Sequence, residues 1–302
     1  MKYFYLSGKF IPPEQAKISI MTHAFNYGTA VFEGIRAYWN PVQKQLYLFR
    51  LKDHYKRMQT SSKALNLARP FDLDKMCAMT LKLLRKNRVK QNVYIRPICF
   101  QARLGIAAKK TGESGFGMFL LALKSSSQSP RPLRVLLSSW RRIDSKMIPS
   151  YGKLSGTYVN SFLAGQEASH SRFDEAIMLN LDGSVAEATG MNVFILKNKQ
   201  VITPPLSANI LPGITRDSIM KIAKPELGLK VLQRNISKKE LVSAEEVFLT
   251  GTGSEIVPVG SVNGKKMNDR KASPITRSLG SLYLGIVRGE LARYANWLTP
   301  VY

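Results

Sequence analysis

Metal-ligating side chains are scarce in this chain. Its 302 residues include three histidines (His23, His54, His170) and two cysteines (Cys77, Cys99). They lie far apart and in no metal-ligand spacing, so a histidine- or cysteine-bound metal is not expected. Two cysteines are too few for a disulfide framework in a chain this long, which favours a reducing, cytoplasmic setting. The longest apolar run, FGMFLLAL, is strand-sized and far short of a bilayer span. The opening MKYFYLSGKFIPP is interrupted by Ser7, Gly8 and Lys9 too early for a signal peptide. Also missing are a GxGxxG after a strand, a Walker lysine and a G-x-S-x-G elbow. Acidic residues are few: 20 Asp+Glu oppose 45 Lys+Arg, a formal charge of +25. Such a charge attracts nucleic acid and anionic metabolites alike. The basic residues are spread, however, and their densest run, KLLRKNRVK, ends an amphipathic helical pattern without interleaved aromatics. Neither a nucleic-acid nor a membrane partner is expected.

What is present is an ordinary globular composition, 44% hydrophobic and 22% charged, long enough for two domains. YFYLSGKFI reads as a hairpin turning at Ser7-Gly8. RLKDHYKRMQTSSKALN and DLDKMCAMTLKLLRKN read as helices, the first with Leu51, Tyr55, Met58 and Leu65 near one face, the second capped by Asp72. Strand candidates VYIRPICF and FGMFLLAL follow. KSSSQSPRP (124–132) is polar, carries two prolines and reads as a linker. Beyond it come LRVLLSS, a helix over about 157–170, strands EAIMLN, SVAEA and NVFILKNKQVIT, and a helix after LPGITR. Strands KVLQR, EEVFLT and EIVPVGSV then lead to a closing helix, SPITRSLGSLYLGIVRGELARYANW. The expected architecture is α+β in two domains: 1–123, the linker 124–132, and 133–302.

One lysine stands apart. In IPSYGKLSGTYVNS, Lys153 lies between glycines and small hydroxyl residues with no charged neighbour for several positions. It is either a solvated loop lysine or a reactive one. One reactive reading takes Ser150-Tyr151-Gly152-Lys153 as the S-x-x-K of a serine acyl-hydrolase, with Tyr158-Val159-Asn160 and Lys110-Thr111-Gly112 as its companions. The order is wrong for that chemistry, since K-T-G comes first here, and Gly152 weakens the helix that S-x-x-K needs. The other makes Lys153 a Schiff-base lysine for pyridoxal phosphate. That chemistry calls for a carboxylate on the ring nitrogen, donors for the phosphate and a contact to the phenolic oxygen. Glu187 in GSVAEATGMNVF is a carboxylate in an otherwise apolar region, where burial calls for a cationic partner. LPGITRDSIM offers Thr215 and a helix start, TGTGSE offers free amides, and Tyr158 follows Lys153 closely.

EATGMNVF, then Thr203 in VITPP, then LPGITR together resemble the signature of class-IV, fold-type IV pyridoxal-phosphate aminotransferases. MTHAFNYGTAVFEGIRAY, HYKRM, YIRPICF, IPSYGKLSGTY and FLTGTGSEIVPV resemble the branched-chain aminotransferases of that class, in collinear order over nearly the whole chain. The resemblance implies a two-domain fold with the cofactor, pyridoxal 5'-phosphate, at the domain interface. It also implies a homodimer or higher homo-oligomer. The implied reaction exchanges the amino group of leucine, isoleucine or valine with 2-oxoglutarate. Lys153 would be catalytic. Arg57, Ile214, Thr215 and Thr252 would hold the phosphate, Glu187 the ring nitrogen and Tyr158 the phenolic oxygen. Tyr94, Arg96 and the Thr252-Gly253 amides would contact substrate carboxylates, and Tyr27 and Phe32 would line an apolar pocket. One departure is Met191, which stands where many branched-chain enzymes carry an acidic residue. D-amino-acid and (R)-amine transaminases and aminodeoxychorismate lyases share the same cofactor apparatus and remain alternatives.

Overall fold

The computed structural model describes residues 1–68, 72–106, 113–123, 130–267 and 273–302. Most of the 124–132 segment and all of Lys110-Thr111-Gly112 lie outside them. The chain forms two compact units. Met1–Ser126, Gly152–Gly156 and Gly285–Tyr302 make the first; Ser127–Tyr151 and Thr157–Leu284 make the second. No helix among the described residues is long and apolar enough to cross a membrane.

The first unit is built on a sheet of eight strands among the described residues. Val93–Gln101 is its centre, pairing antiparallel with Ala30–Phe32, Ile35–Asn40 and Ser114–Ala122. Its residues alternate buried and half-buried, the period-two pattern of a strand with one face in a core. The amino-terminal hairpin forms as expected, with Leu6 opposite Lys9 and Ser7 and Gly8 both at positive φ. Helix Leu51–Ala64 buries Leu51, His54, Tyr55, Met58, Ser61 and Ser62. Polar side chains therefore ride on its buried stripe, among them His54 and Ser61, one turn to either side of Arg57. Helix Leu73–Lys86 starts where Asp72 accepts a 2.7 Å hydrogen bond from the Lys75 amide.

The second unit holds a nine-stranded mixed sheet among the described residues. Leu133–Arg141 runs parallel to both Glu175–Leu179 and Glu255–Val262, while Asn192–Lys197 pairs antiparallel with Glu246–Gly251. One face is a core of Val185, Val193, Ile195, Val247, Leu249, Val259 and their neighbours. Alternation places Asn192, Phe194, Phe248 and Thr250 on the opposite face, where the two phenylalanine rings stack at 4.9 Å.

The sequence reading differs from the structure in several stretches, among them NVFILKNKQVIT, which is two antiparallel strands, Asn192–Lys197 and Gln200–Thr203, rather than one. The closing helix is two elements, Pro274–Val287 and a 3-10 helix Ala292–Trp297, with Gly289 between them at φ 76°. Strands Ala30–Phe32, Ile35–Asn40 and Leu298–Pro300 went unread. The first two are nearly continuously buried and so lack alternation, and the third gains its strand character only by pairing with Gln45–Phe49.

Candidate active site

The expected site residues divide between the two units: Lys153, Arg57, Tyr27, Phe32, Tyr94 and Arg96 in the first, Tyr158, Glu187, Ile214, Thr215, Thr252 and Gly253 in the second.

In the first unit, the lysine segment is fastened from both sides. The Phe32 amide donates to the Lys153 carbonyl at 3.1 Å, and the Lys153 amide donates to Ser61 Oγ at 2.9 Å. Leu154 bridges to Val31. Gly156 meets Gly28, whose φ is 66° and where a Cβ would lie 2.9 Å from Gly156 Cα. Glycine at position 28 is thus required by its left-handed backbone and this close approach to the lysine segment. Lys153 Nζ lies 4.9 Å from the centroid of Phe32, and the Arg96 guanidinium lies 4.4 Å from the same ring. Tyr94 and Arg96 share a strand face, and Arg96 Nη2 donates to the Tyr94 hydroxyl at 2.9 Å. Arg96 Nε is buried with no hydrogen-bond partner among the described residues. Tyr27 is tied elsewhere, its hydroxyl donating to the Ile106 carbonyl at 2.9 Å.

Arg57 is held by a residue the sequence reading passed over. Its Nε donates to Glu33 Oε1 at 2.7 Å and its Nη2 to Glu33 Oε2 at 2.8 Å. His54 Nδ1 donates to Glu33 Oε2 at 2.8 Å, as does the Gly34 amide at 3.2 Å. Burial pushes the fully buried Glu33 carboxyl up. The Arg57 charge, with hydrogen bonds from Arg57 and His54, outweighs it and holds the group well below the usual carboxylate range. Burial lowers His54 against the raising pull of Glu33, and the Arg57 and Lys153 charges lower it further.

In the second unit, Glu187 sits opposite Asn192 in the sheet and is buried. Its Oε1 accepts from Arg142 at 2.9 Å, and its Oε2 accepts from Asn192 Nδ2 and the Leu211 amide, both at 3.0 Å. The cationic partner that burial of Glu187 requires is therefore present within the chain as Arg142, also unread in the sequence because it lies 45 positions away in a basic run, 187 minus 142. Asn192 also donates to the Leu211 carbonyl at 2.9 Å, fixing the turn that leads into helix Ile214–Leu227. Gly213 caps that helix without a side-chain hydrogen bond, and a helix amino terminus favours a nearby anion. Thr250 lies beside Asn192 in the sheet, and its buried hydroxyl has no hydrogen-bond partner among the described residues. Thr252 and Gly253 form the turn that follows it. Met191 joins the core cluster on the other face, away from Asn192.

The donor set of the second unit fits a phosphate-bearing, nitrogen-containing ring. It offers a charge-compensated buried carboxylate, a helix amino terminus, and an unsatisfied hydroxyl on the same sheet face. The serine acyl-hydrolase reading does not survive: no helix spans 150–153, so Ser150 and Lys153 are not stacked one helical turn apart.

The comparisons agree with this geometry. Residues 30–262 match the family profile described as "Amino-transferase class IV". A probable branched-chain-amino-acid aminotransferase of Aquifex aeolicus (strain VF5) is 43% identical, with 100% of this chain and 97% of that one covered. The branched-chain amino acid aminotransferase of Thermobaculum terrenum in its PLP form superposes with a TM-score of 0.95 at 36% identity, covering 100% of this chain and 98% of that one. The branched-chain aminotransferase of Thermoproteus uzoniensis with norvaline has a TM-score of 0.94 at 36% identity, covering 99% of each chain. With a lysine fastened between a strand and a helix, a buried carboxylate on a second sheet, and full-length likeness to these proteins, the chain belongs to the class IV aminotransferase family.

Proposed function

We propose that this protein is a branched-chain amino acid aminotransferase. It exchanges the amino group of leucine, isoleucine or valine with 2-oxoglutarate, using pyridoxal 5'-phosphate. The observation that carries the reading is Lys153, a lysine fixed through both its amide and its carbonyl, in a chain alike over its whole length to branched-chain aminotransferases. Pyridoxal phosphate, when bound, supplies an electron sink for the charge left as the α-proton departs. Lys153 Nζ anchors the cofactor and, once released, takes that proton and returns it. Glu187 keeps the ring nitrogen protonated, and Tyr158 contacts the phenolic oxygen. Arg57, Ile214, Thr215 and Thr252 hold the phosphate. Tyr94, Arg96 and the Thr252-Gly253 amides take substrate carboxylates, a role supported by the unsatisfied, buried Nε of Arg96. Tyr27 and Phe32 contact the branched side chain.

The same reading extends to organisation. The chain first crosses from one unit to the other within 124–132, a reading supported by the first of the unit boundaries, between Ser126 and Ser127. It self-associates as at least a homodimer. Ile20, Met21, Phe25, Leu104 and Ile106 are exposed on neighbouring segments of the first unit, Ile106 at 86%, and such a patch calls for a partner. A cytoplasmic setting is supported by the two buried free cysteines.

The purified protein, supplied with pyridoxal phosphate, is expected to show a visible-edge absorbance band that L-isoleucine bleaches and 2-oxoglutarate restores. Lys153→Ala is expected to lack that band. Bleaching by a D-amino acid or an amine instead would overturn the substrate, and no band in the unmutated protein would overturn the function.

A further inference from the structure

We infer that Glu33 is a positioning residue that sets the Arg57 guanidinium for the cofactor's phosphate, an inference that rests on the function proposed above. Glu33 follows directly on strand Ala30–Phe32, and its amide donates to the Pro97 carbonyl at 2.9 Å, so its backbone is tied to the central strand of the sheet. Its side chain is fully buried. The two oxygens take the Nε and Nη2 positions of Arg57 in parallel, a fork that fixes the guanidinium plane as well as its distance. That contact turns the Nη1 corner away from Glu33. His54 and the Gly34 amide brace Glu33 Oε2 in turn, so the carboxylate cannot rotate without losing three hydrogen bonds on that oxygen.

The same helix ties this brace to the reactive lysine. Ser61 Oγ donates to the Arg57 carbonyl at 2.9 Å and accepts from the Lys153 amide. Phe32, adjacent to Glu33, binds the Lys153 carbonyl. One rigid frame of sheet and helix thereby carries both the anchor for the ring and the arginine for the phosphate, and Glu33 is the side chain that locks the arginine within it.

A purely structural ion pair makes a different prediction. Removing the Glu33 charge leaves Arg57 uncompensated, and Coulomb attraction alone would then tighten binding of a phosphate. Loss of orientation does the opposite. Glu33→Gln keeps the shape but turns an N–H toward Arg57, so it displaces the guanidinium. The test is titration of cofactor-free full-length protein with pyridoxal 5'-phosphate and with pyridoxal, which lacks the phosphate, followed by tryptophan fluorescence. Glu33→Gln is expected to weaken the phosphate ester by about tenfold or more, the scale of one misaligned hydrogen bond to a charged group, and pyridoxal by less than about twofold. Unchanged or tighter binding of the phosphate ester overturns the inference, as does equal weakening of both ligands. If Glu33→Gln does not fold, Glu33→Asp keeps the charge but withdraws it by one methylene, and the loss is again expected for the phosphate ester alone. An unmutated protein that binds both ligands equally overturns the phosphate role of Arg57 itself, and a failure confined to the variants overturns only the role of Glu33.

Discussion

Lys153, His54 and Glu33 differ in how they are read from sequence. Lys153 announces itself by its neighbours, a lone cation among glycines and small hydroxyls. His54 and Glu33 do not: each looks like one more polar residue in the sequence, and only burial makes them matter. Their burial has a consequence for pH. The folded His54 titrates below its ordinary 6.5, so under acid the unfolded chain takes up that proton first and unfolding is favoured. Glu33 titrates below its ordinary 4.5 when folded, so its contribution is present above about 4.5 and is lost as pH falls further. Both effects have the same sign. Stability to urea is expected to fall as pH drops from 7 toward 5, by at most about 1.4 kcal/mol per pH unit for the single proton on His54. His54→Gln should flatten that slope, and an unflattened slope would assign the acid sensitivity to another group.

Elements were legible where their pattern is periodic and obscure where burial is continuous. The Leu51–Ala64 and Leu73–Lys86 helices and the hairpin turning at Ser7-Gly8, both at positive φ, follow from local rules. The loop from Leu211 into helix Ile214–Leu227 does not. Its form depends on Asn192, whose amide bonds Glu187 and the Leu211 carbonyl at once. Gly213 is glycine because a Cβ there would fall 1.9 Å from Asn192 Oδ1. Its φ of −67° is open to any residue, so the constraint is space, not backbone conformation. Gly213→Ala should therefore cost about 1–3 kcal/mol of stability through overpacking, and also weaken cofactor binding by displacing Asn192 from Glu187. Thermal melts with and without pyridoxal phosphate measure both; a variant that melts normally and binds normally would show that Asn192 yields without consequence.

For the molecule as a whole, the unusual quantity is charge. With 45 basic residues against 20 acidic ones, self-repulsion opposes compactness and association alike. Raising NaCl from about 20 to about 300 mM shortens the Debye length roughly fourfold. The melting temperature and the dimer fraction in sedimentation equilibrium should both rise, and a fall in either would mean that attractive ion pairs outweigh the repulsion. Phe25→Ser, on the exposed apolar patch, should lower the dimer fraction without shifting the absorbance of bound cofactor. What the sequence determined by itself is what short-range rules carry: periodic helices, tight turns, the isolated reactive lysine, and a collinear motif order that identifies the family. What tertiary structure decided is who partners the buried charges. Glu33 meets Arg57 across 24 positions, and Glu187 meets Arg142 across 45, 187 minus 142. No local pattern encodes such a pairing, because a buried charge is compensated by whichever opposite charge the fold brings within hydrogen-bonding distance.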